Sequence, residues 1–327
     1  MMEFRAHRHP SKERCERMAV MSPANPFMTA AYLNARMALG GESFILSVMD
    51  GERMNAAGPA LLRSGYLTRS LEIMSVPLLP EPDVFWRGLQ TWCRDKSVSQ
   101  VEVNSFSSEQ TCIPPLEGEY YRRTRCEYVL DLREQTLWER MTSNHLRNVK
   151  RARKGQVSVH RSREASACRV HVDLMALSMT RRRVRGEQVP DHMTNQLAEV
   201  TALTQHGAGE LFQAVADGQV VSSILVLLSE RGGYYHSAGT SPEGMACGAS
   251  HVLVHDIAVT LQAEARWQFN LGGVSEAGSG LEQFKRGFGA RRIDLQAVQC
   301  STATRVTRWL GAGATMLRHV ASAGTVR

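Results

Sequence analysis

Two stretches of the chain share one pattern of apolar and polar positions. Residues 44–66 read FILSVMDGERMNAAGPALLRSGY and residues 211–233 read LFQAVADGQVVSSILVLLSERGG. At an offset of 167, Val48 matches Val215, Asp50-Gly51 matches Asp217-Gly218, Leu61 matches Leu228 and Gly65 matches Gly232. Each copy is an apolar run, an Asp-Gly pair and a second apolar run that closes at glycine. Asp-Gly between two such runs is a strong hairpin signal, because both residues tolerate positive φ. A period of this length predicts two similar halves, each built around an antiparallel hairpin.

The second copy continues into Gly232–Gly239 (GGYYHSAG), which reads as a strand, and Ser241–Gly248 reads as a polar loop. From Ser250 to Ala265 the apolar positions Val252, Val254, Ile257, Ala258 and Leu261 follow a helical period. Trp267–Leu271 and Ile293–Val298 read as two further strands, and Arg305–Ala321 as a C-terminal helix. The order is that of a mixed α/β fold rather than a bundle or sandwich. Between the halves, Thr136–Lys154 (TLWERMTSNHLRNVKRARK) predicts a helix opened by a Thr136/Glu139 capping box, with a break near Thr142 and a restart at Ser143. Trp138, Met141, His145, Val149 and Ala152 fall on one side and Arg147, Lys150, Arg151 and Lys154 on the other, giving an amphipathic helix with a basic outer face. That helix is expected where the two halves meet.

Charge narrows the partners. A net charge of +7 over 327 residues favours anions such as phosphates, nucleotides or RNA, although a basic face is also an ordinary solvated surface. No apolar run has the length of a membrane span, and the basic N-terminus lacks the apolar stretch of a secretory signal. Seven scattered cysteines without a CxxC pair argue against a disulfide framework and fit a reducing, cytoplasmic setting. His251 and His255 stand four residues apart, but HVLVH lacks the glutamate of a zincin helix, so no metal site is expected. Neither a Gly-x-Ser-x-Gly elbow nor a Walker glycine loop occurs.

The richest stretch for chemistry is FNLGGV (269–274) followed by GLEQFKRGFGA (280–290). Paired glycines, Gly272 and Gly273, after a strand let a ligand approach the backbone. Lys285, flanked by Phe284 and Phe288, is a cation that can face a developing oxyanion. These residues resemble the closing signature of the FemABX-type peptidyltransferases and their acetyltransferase-like (GNAT) relatives. TSNHLRNVKRARK is similar to the basic helix of that group, LMALSMTRRR (174–183) to its helix ending in Thr-x-x-Arg, and GGYYHSAGTSPEG to its central strand and loop.

The resemblance spans roughly 128–292 and implies two tandem GNAT-fold domains. We set these at residues 1–152 and 153–300, with residues 301–327 packed on either. It implies an acyltransferase that moves an acyl or aminoacyl group from acyl-CoA or aminoacyl-tRNA to an amine. The acceptor is a small molecule or a peptidoglycan-precursor-like amine, and tRNA is a further implied partner. Lys285 and Phe284 take the catalytic positions, with Arg183, Tyr235, Gly272 and Gly273 binding substrate. Gly248, Ala249 and Ser250 would cradle the donor phosphate at a helix N-terminus, with Arg147, Lys150 and Arg151 beside it. There the chain departs from the acetyl-CoA pattern, since Met245 stands where the basic residue belongs. The rival from another class is an RNA- or anion-binding protein that keeps the fold without turnover.

Overall fold

The computed structural model describes residues 2–65, 68–133, 137–187, 195–274 and 278–302. The expected helix at Arg305–Ala321 and the capping residue Thr136 lie outside them. The first half runs β1 (Met2–Arg8), α1 (Lys12–Met21), α2 (Ala30–Ala38), β2 (Glu42–Asp50), β3 (Arg53–Ser64), β4 (Arg69–Ile73), α3 (Pro82–Asp95), β5 (Gln100–Val103) and β6 (Glu119–Asp131). Helices α4 (Leu137–Arg140) and α5 (Ser143–Lys154) follow. The second half is β7 (Ser158–Ser162), α6 (Ala165–Val184), α7 (Gln196–Gln205), β8 (Gly209–Ala216), β9 (Gln219–Leu228), β10 (Gly232–Thr240), α8 (Pro242–Cys247), α9 (Ala249–Ala263), β11 (Gln268–Asn270), α10 (Gly280–Arg286) and β12 (Arg291–Ser301).

All twelve strands join one mixed sheet in the order β1-β2-β3-β4-β5-β12-β6-β11-β10-β9-β8-β7. The two ends mirror each other. In each half the first four strands are antiparallel neighbours, and the fourth pairs parallel with the fifth. The sixth strands are exchanged. β6 follows the first half in sequence but pairs with β11, while β12 closes the second half in sequence but pairs with β5. The two exchanged strands pair antiparallel with each other at the centre, from Arg291↔Val129 to Cys300↔Glu119.

The repeat is real but shifted by one residue from its sequence alignment. Asp50 pairs with Arg53 and Ala216 with Gln219, so equivalent positions are 166 apart. The β-bulges agree, falling after Val48 in one hairpin and after Ala214 in the other. The first hairpin therefore turns on Gly51-Glu52 rather than Asp50-Gly51. Gly51 has φ +58°, whereas Asp217 and Gly218 both lie at positive φ (+49° and +74°). These are the one- and two-residue positive-φ solutions for a two-residue loop, and the twist of the strands accepts either.

Each half has its own apolar core. Leu46, Val48, Leu62, Leu71, Phe85 and Leu89 centre the first, which also takes in Val298 and Cys300 of the exchanged β12. Tyr128 and Leu130 of the exchanged β6 join Val149, Phe212, Val254, Leu261 and Phe269 in the second. A third cluster, with Phe27, Tyr32 and Ala35 from one half and Cys168, Leu203, Leu225 and Tyr234 from the other, lies between them. Arg36 of α2 bonds Glu72 of its own half (2.9 Å) and crosses the same seam to Glu199 of α7 (3.3 Å).

The basic helix is not at that seam. α5 packs on α9 and α8, and its apolar residues Val149 and Ala152 belong to the second core. The break after α4 is present, but Thr142 takes the N-cap position of α5, its hydroxyl turned to His145, and Ser143 is the first helical residue. Ser241–Gly248, expected as a loop, contains α8, which Ser241 caps and Pro242 begins.

Candidate active site

The parallel pairing of β10 with β11 covers only Gly232–Tyr234 against Gln268–Asn270. Beyond Asn270 the partner strand ends while β10 runs on to Thr240, so the sheet opens there. A bulge on β10 between Tyr235 and Ser237 marks the start of the opening and leaves His236 outside the ladder.

Lys285 enters this opening from α10. It is 4% exposed, and its ammonium donates to the Gly273 carbonyl (2.6 Å) and lies 5.8 Å from the centre of the Tyr235 ring. Burial pulls its pKa down from the ordinary 10.5 to about 8, opposed by the nearby Glu127 carboxylate. Both glycines are required where they stand. Gly272 has φ +71°, and a Cβ on Gly273 would lie 2.6 Å from the Cys126 carbonyl. Tyr235, Gly272, Gly273 and Lys285 are thus brought together as expected from the sequence.

Phe284 and Phe288, which flank Lys285 in the sequence, pack at α10's contact with α5 rather than on the lysine. Their rings pack with His145 and His251 in one cluster, with centroid separations of 4.6–6.1 Å. His145, 5% exposed, binds the Phe284 carbonyl through Nε2 (2.8 Å) and Thr142 through Nδ1 (3.0 Å). A carbonyl only accepts, so Nε2 carries the proton and Nδ1 accepts from the threonine hydroxyl. Burial lowers the His145 pKa and keeps the ring neutral. A Cβ at Gly287 would fall 2.0 Å from that ring, so the glycine lets α10 dock on α5.

At the far end of β10, Thr240 shares hydrogen bonds with Ser222 and with Ser250 (both 2.8 Å), at the start of α9. Gly248 has φ +82°, and a Cβ there would meet the Asn148 carbonyl of α5 at 2.8 Å. This contact sets α5 against the α9 N-terminus, where Arg151 donates to the Asn148 side chain (2.6 Å), and burial first, then His145 and Arg151, lower the His251 pKa to about 4. Gly248, Ala249 and Ser250 therefore lie near Arg151. Arg147, Lys150 and Arg151 are all exposed, and Lys150 leans over the Trp138 ring at 5.9 Å.

Arg183 is not part of the lysine group. α6 crosses β10 so closely that a Cβ on Gly239 would lie 2.2 Å from the Leu174–Met175 peptide, and Ser178 bonds Thr240 (3.0 Å). Arg183 follows on the exposed C-terminal end of α6, beyond the end of β10.

Close to the lysine lies a residue the sequence reading passed over. Glu127 of β6 is 1% exposed and accepts from Asn270, Arg125, Tyr234 and the Ser107 backbone. An acid inside the apolar run CEYVLDL was the available signal. Among the described residues, no group of three or more His, Cys, Asp or Glu side chains gathers to hold a metal, and no helix is long and apolar enough to cross a membrane.

Comparison with known proteins places this architecture. Residues 140–286 match the family model of the acetyltransferase (GNAT) domain. The chain superimposes on the crystal structure of FemX with a TM-score of 0.66 at 11% identity, covering 90% of this chain and 96% of that one. A tandem GNAT protein from the clavulanic acid biosynthesis pathway, solved without AcCoA, gives 0.54 at 10% identity, with 93% and 99% covered. L-PGS from Bacillus licheniformis gives 0.53 at 12% identity, with 92% and 95% covered. Among curated proteins none matches the sequence. The fold is a tandem GNAT fold of the kind seen in FemX.

Proposed function

We propose that this tandem GNAT-fold, FemX-like chain is an N-acyltransferase. In this reading it moves an acyl or aminoacyl group from an acyl-CoA or aminoacyl-tRNA donor to an amine on a small-molecule or peptidoglycan-precursor-like acceptor. The observation that carries the reading is the buried Lys285 cation at the point where the sheet opens beside the β10 bulge. The donor carbonyl lies against Lys285. The acceptor amine attacks it, the ammonium stabilises the tetrahedral oxyanion, and the departing sulfur or oxygen takes up the proton released by the amine. With its pKa near about 8, Lys285 is charged at neutral pH, and the rate falls as pH rises through that value.

The α9 turn supports a phosphate-bearing donor. Tyr235 and Thr240 are five residues apart on β10, about 16 Å at strand rise. A donor lying along the strand would set its phosphate at Gly248–Ser250 and its carbonyl at Lys285. The exposed Arg147, Lys150 and Arg151 beside that turn fit the same phosphate or the backbone of a tRNA. For chain organisation we propose one unit around each apolar core, which differs from the halves read from the sequence in that β6, α4 and α5 go with the second core and part of β12 with the first.

The test measures donor consumption by the full-length protein with acetyl-CoA or a pool of aminoacyl-tRNAs, against amines that include a UDP-muramyl pentapeptide. One donor should be consumed, and Lys285→Ala should lose about 10²–10³ in turnover while binding falls far less. Near-normal turnover in a folded Lys285→Ala protein would refute the assignment. Donor or RNA binding without turnover in either protein would favour the anion-binding alternative, which the basic face of α5 supports.

A further inference from the structure

Glu127 stands out because the transfer step proposed above does not use it. It is a carboxylate at 1% exposure on a strand whose neighbours Cys126, Tyr128, Val129 and Leu130 are all core residues. A buried acid persists only when its oxygens are satisfied. Here Oε2 accepts from Asn270 Nδ2 (2.7 Å) and the Ser107 amide (3.0 Å), and Oε1 from Arg125 (2.9 Å) and the Tyr234 hydroxyl (3.1 Å). Three other segments and its own strand converge on this one side chain.

The path continues beyond these bonds. Asn270 is the last residue of β11, and its Oδ1 accepts from the Gly272 amide (2.8 Å). That bond shapes the turn in which Gly272 takes positive φ, and the next carbonyl, Gly273, receives the Lys285 ammonium. The first half of the chain also holds the carboxylate. Ser107 adopts φ +54°, unusual for a non-glycine residue, and in that conformation its N–H reaches Glu127. Phe106 beside it lies 3.7 Å under the Arg125 guanidinium.

We propose that Glu127, acting through Asn270, is the positioning residue for Lys285, and that the Phe106–Ser107 segment of the first half holds it in place. The assignment rests on the reading of Lys285 given above only for its catalytic consequence. The charged and titratable groups facing the ammonium are Glu127, Arg125 and Cys126, all on β6, and Tyr235 presents its ring from β10. Among them Glu127 favours the charged lysine and Arg125 opposes it. Glu127 therefore has two effects on Lys285, one on its place through the Asn270 relay and one on its charge through space.

Both effects can be read without transfer turnover. Full-length protein is treated with trace acetic anhydride, which acylates only neutral amines and does not itself titrate, between about pH 6 and pH 10, and modified Lys285 is quantified by peptide mass spectrometry against an internal amine standard. Wild-type Lys285 should half-titrate near about 8. Glu127→Gln should lower that midpoint by about one unit and label about fivefold faster at neutral pH, and Glu127→Asp should restore the wild-type profile. Asn270→Ala leaves every charge in place and should raise the rate on the alkaline plateau, where protonation no longer differs. An unchanged midpoint in folded Glu127→Gln, or an unchanged plateau in Asn270→Ala, overturns the proposal. If Glu127→Gln does not fold, the Asn270→Ala plateau decides alone. A lysine that titrates as described in a protein without transfer turnover would sink the catalytic reading and leave the positioning role standing.

Discussion

Replacing Lys285 with methionine should make the protein more stable at neutral pH and less so, relative to wild type, in alkali. The ammonium is held from the ordinary 10.5 down to about 8 by burial. At about 1.4 kcal/mol per unit, that corresponds to roughly 3 kcal/mol of destabilisation while the lysine is charged in both states. Between these two values the unfolded chain binds the proton and the folded one does not, so wild-type stability climbs as pH rises. At pH 9.5 about 1.4 kcal/mol of the penalty remains. Methionine has a similar length and no charge, but it leaves the Gly273 carbonyl without the bond from Lys285, a loss of about 1 kcal/mol. The variant should therefore be about 2 kcal/mol more stable at pH 7 and nearly equal to wild type at pH 9.5. Urea unfolding followed by tryptophan fluorescence and circular dichroism at both pH values measures the two differences. A variant less stable than wild type at pH 7, or a difference that does not change with pH, would refute the argument that this lysine is held against its solvation.

Three further outcomes follow from close contacts and charge. Gly239→Ala would drive a Cβ to 2.2 Å from the α6 backbone, and the strain should cost about 2–3 kcal/mol in chemical denaturation; a wild-type midpoint would mean that α6 slides freely on β10. Gly287→Ala should displace the His145 ring, 2.0 Å from the new methyl, and loosen α10; hydrogen exchange across Gly280–Arg286 should accelerate, and unchanged protection would count against the His145–Phe284 anchor. Replacing Arg147, Lys150 and Arg151 together with alanine should weaken binding of coenzyme A or tRNA and flatten its dependence on salt, whereas the same affinity and slope at low salt would make this face ordinary surface.

The parts of the fold that depend on local pattern could be read from the sequence. Apolar runs around Asp-Gly pairs announced both hairpins, and the helical period at Val252–Leu261 announced α9. The alignment slipped by one residue because the first turn needs a left-handed residue only at Gly51, a choice that matching Asp-Gly pairs conceals. α8 was legible in principle, since Ser241 and Pro242 form a cap and a first helical residue. The exchange of β6 and β12 was not, because no short stretch states which of two similar strands a third will join. The candidate site divides the same way. Lys285, Gly272 and Gly273 came from one motif within about twenty residues of chain. Glu127 draws its partners from Ser107, Arg125, Tyr234 and Asn270, and only the folded topology gathers them. Arg183 was assigned by motif alone, and the tight crossing at Gly239 carries it past the lysine.

The exchanged strands also bear on how the chain is made. During synthesis β5 emerges at Val103, but the strand that covers its open edge ends at Ser301. At about 5–20 residues per second, the first half waits roughly ten to forty seconds with an unpaired edge, the kind of edge that invites mispairing with a neighbouring chain. The same exchange ties the two similar halves to each other. A gene cut between the halves would yield one product whose sixth strand belongs to the missing partner and another that lacks the strand its own sheet requires. Neither half carries a complete sheet of its own.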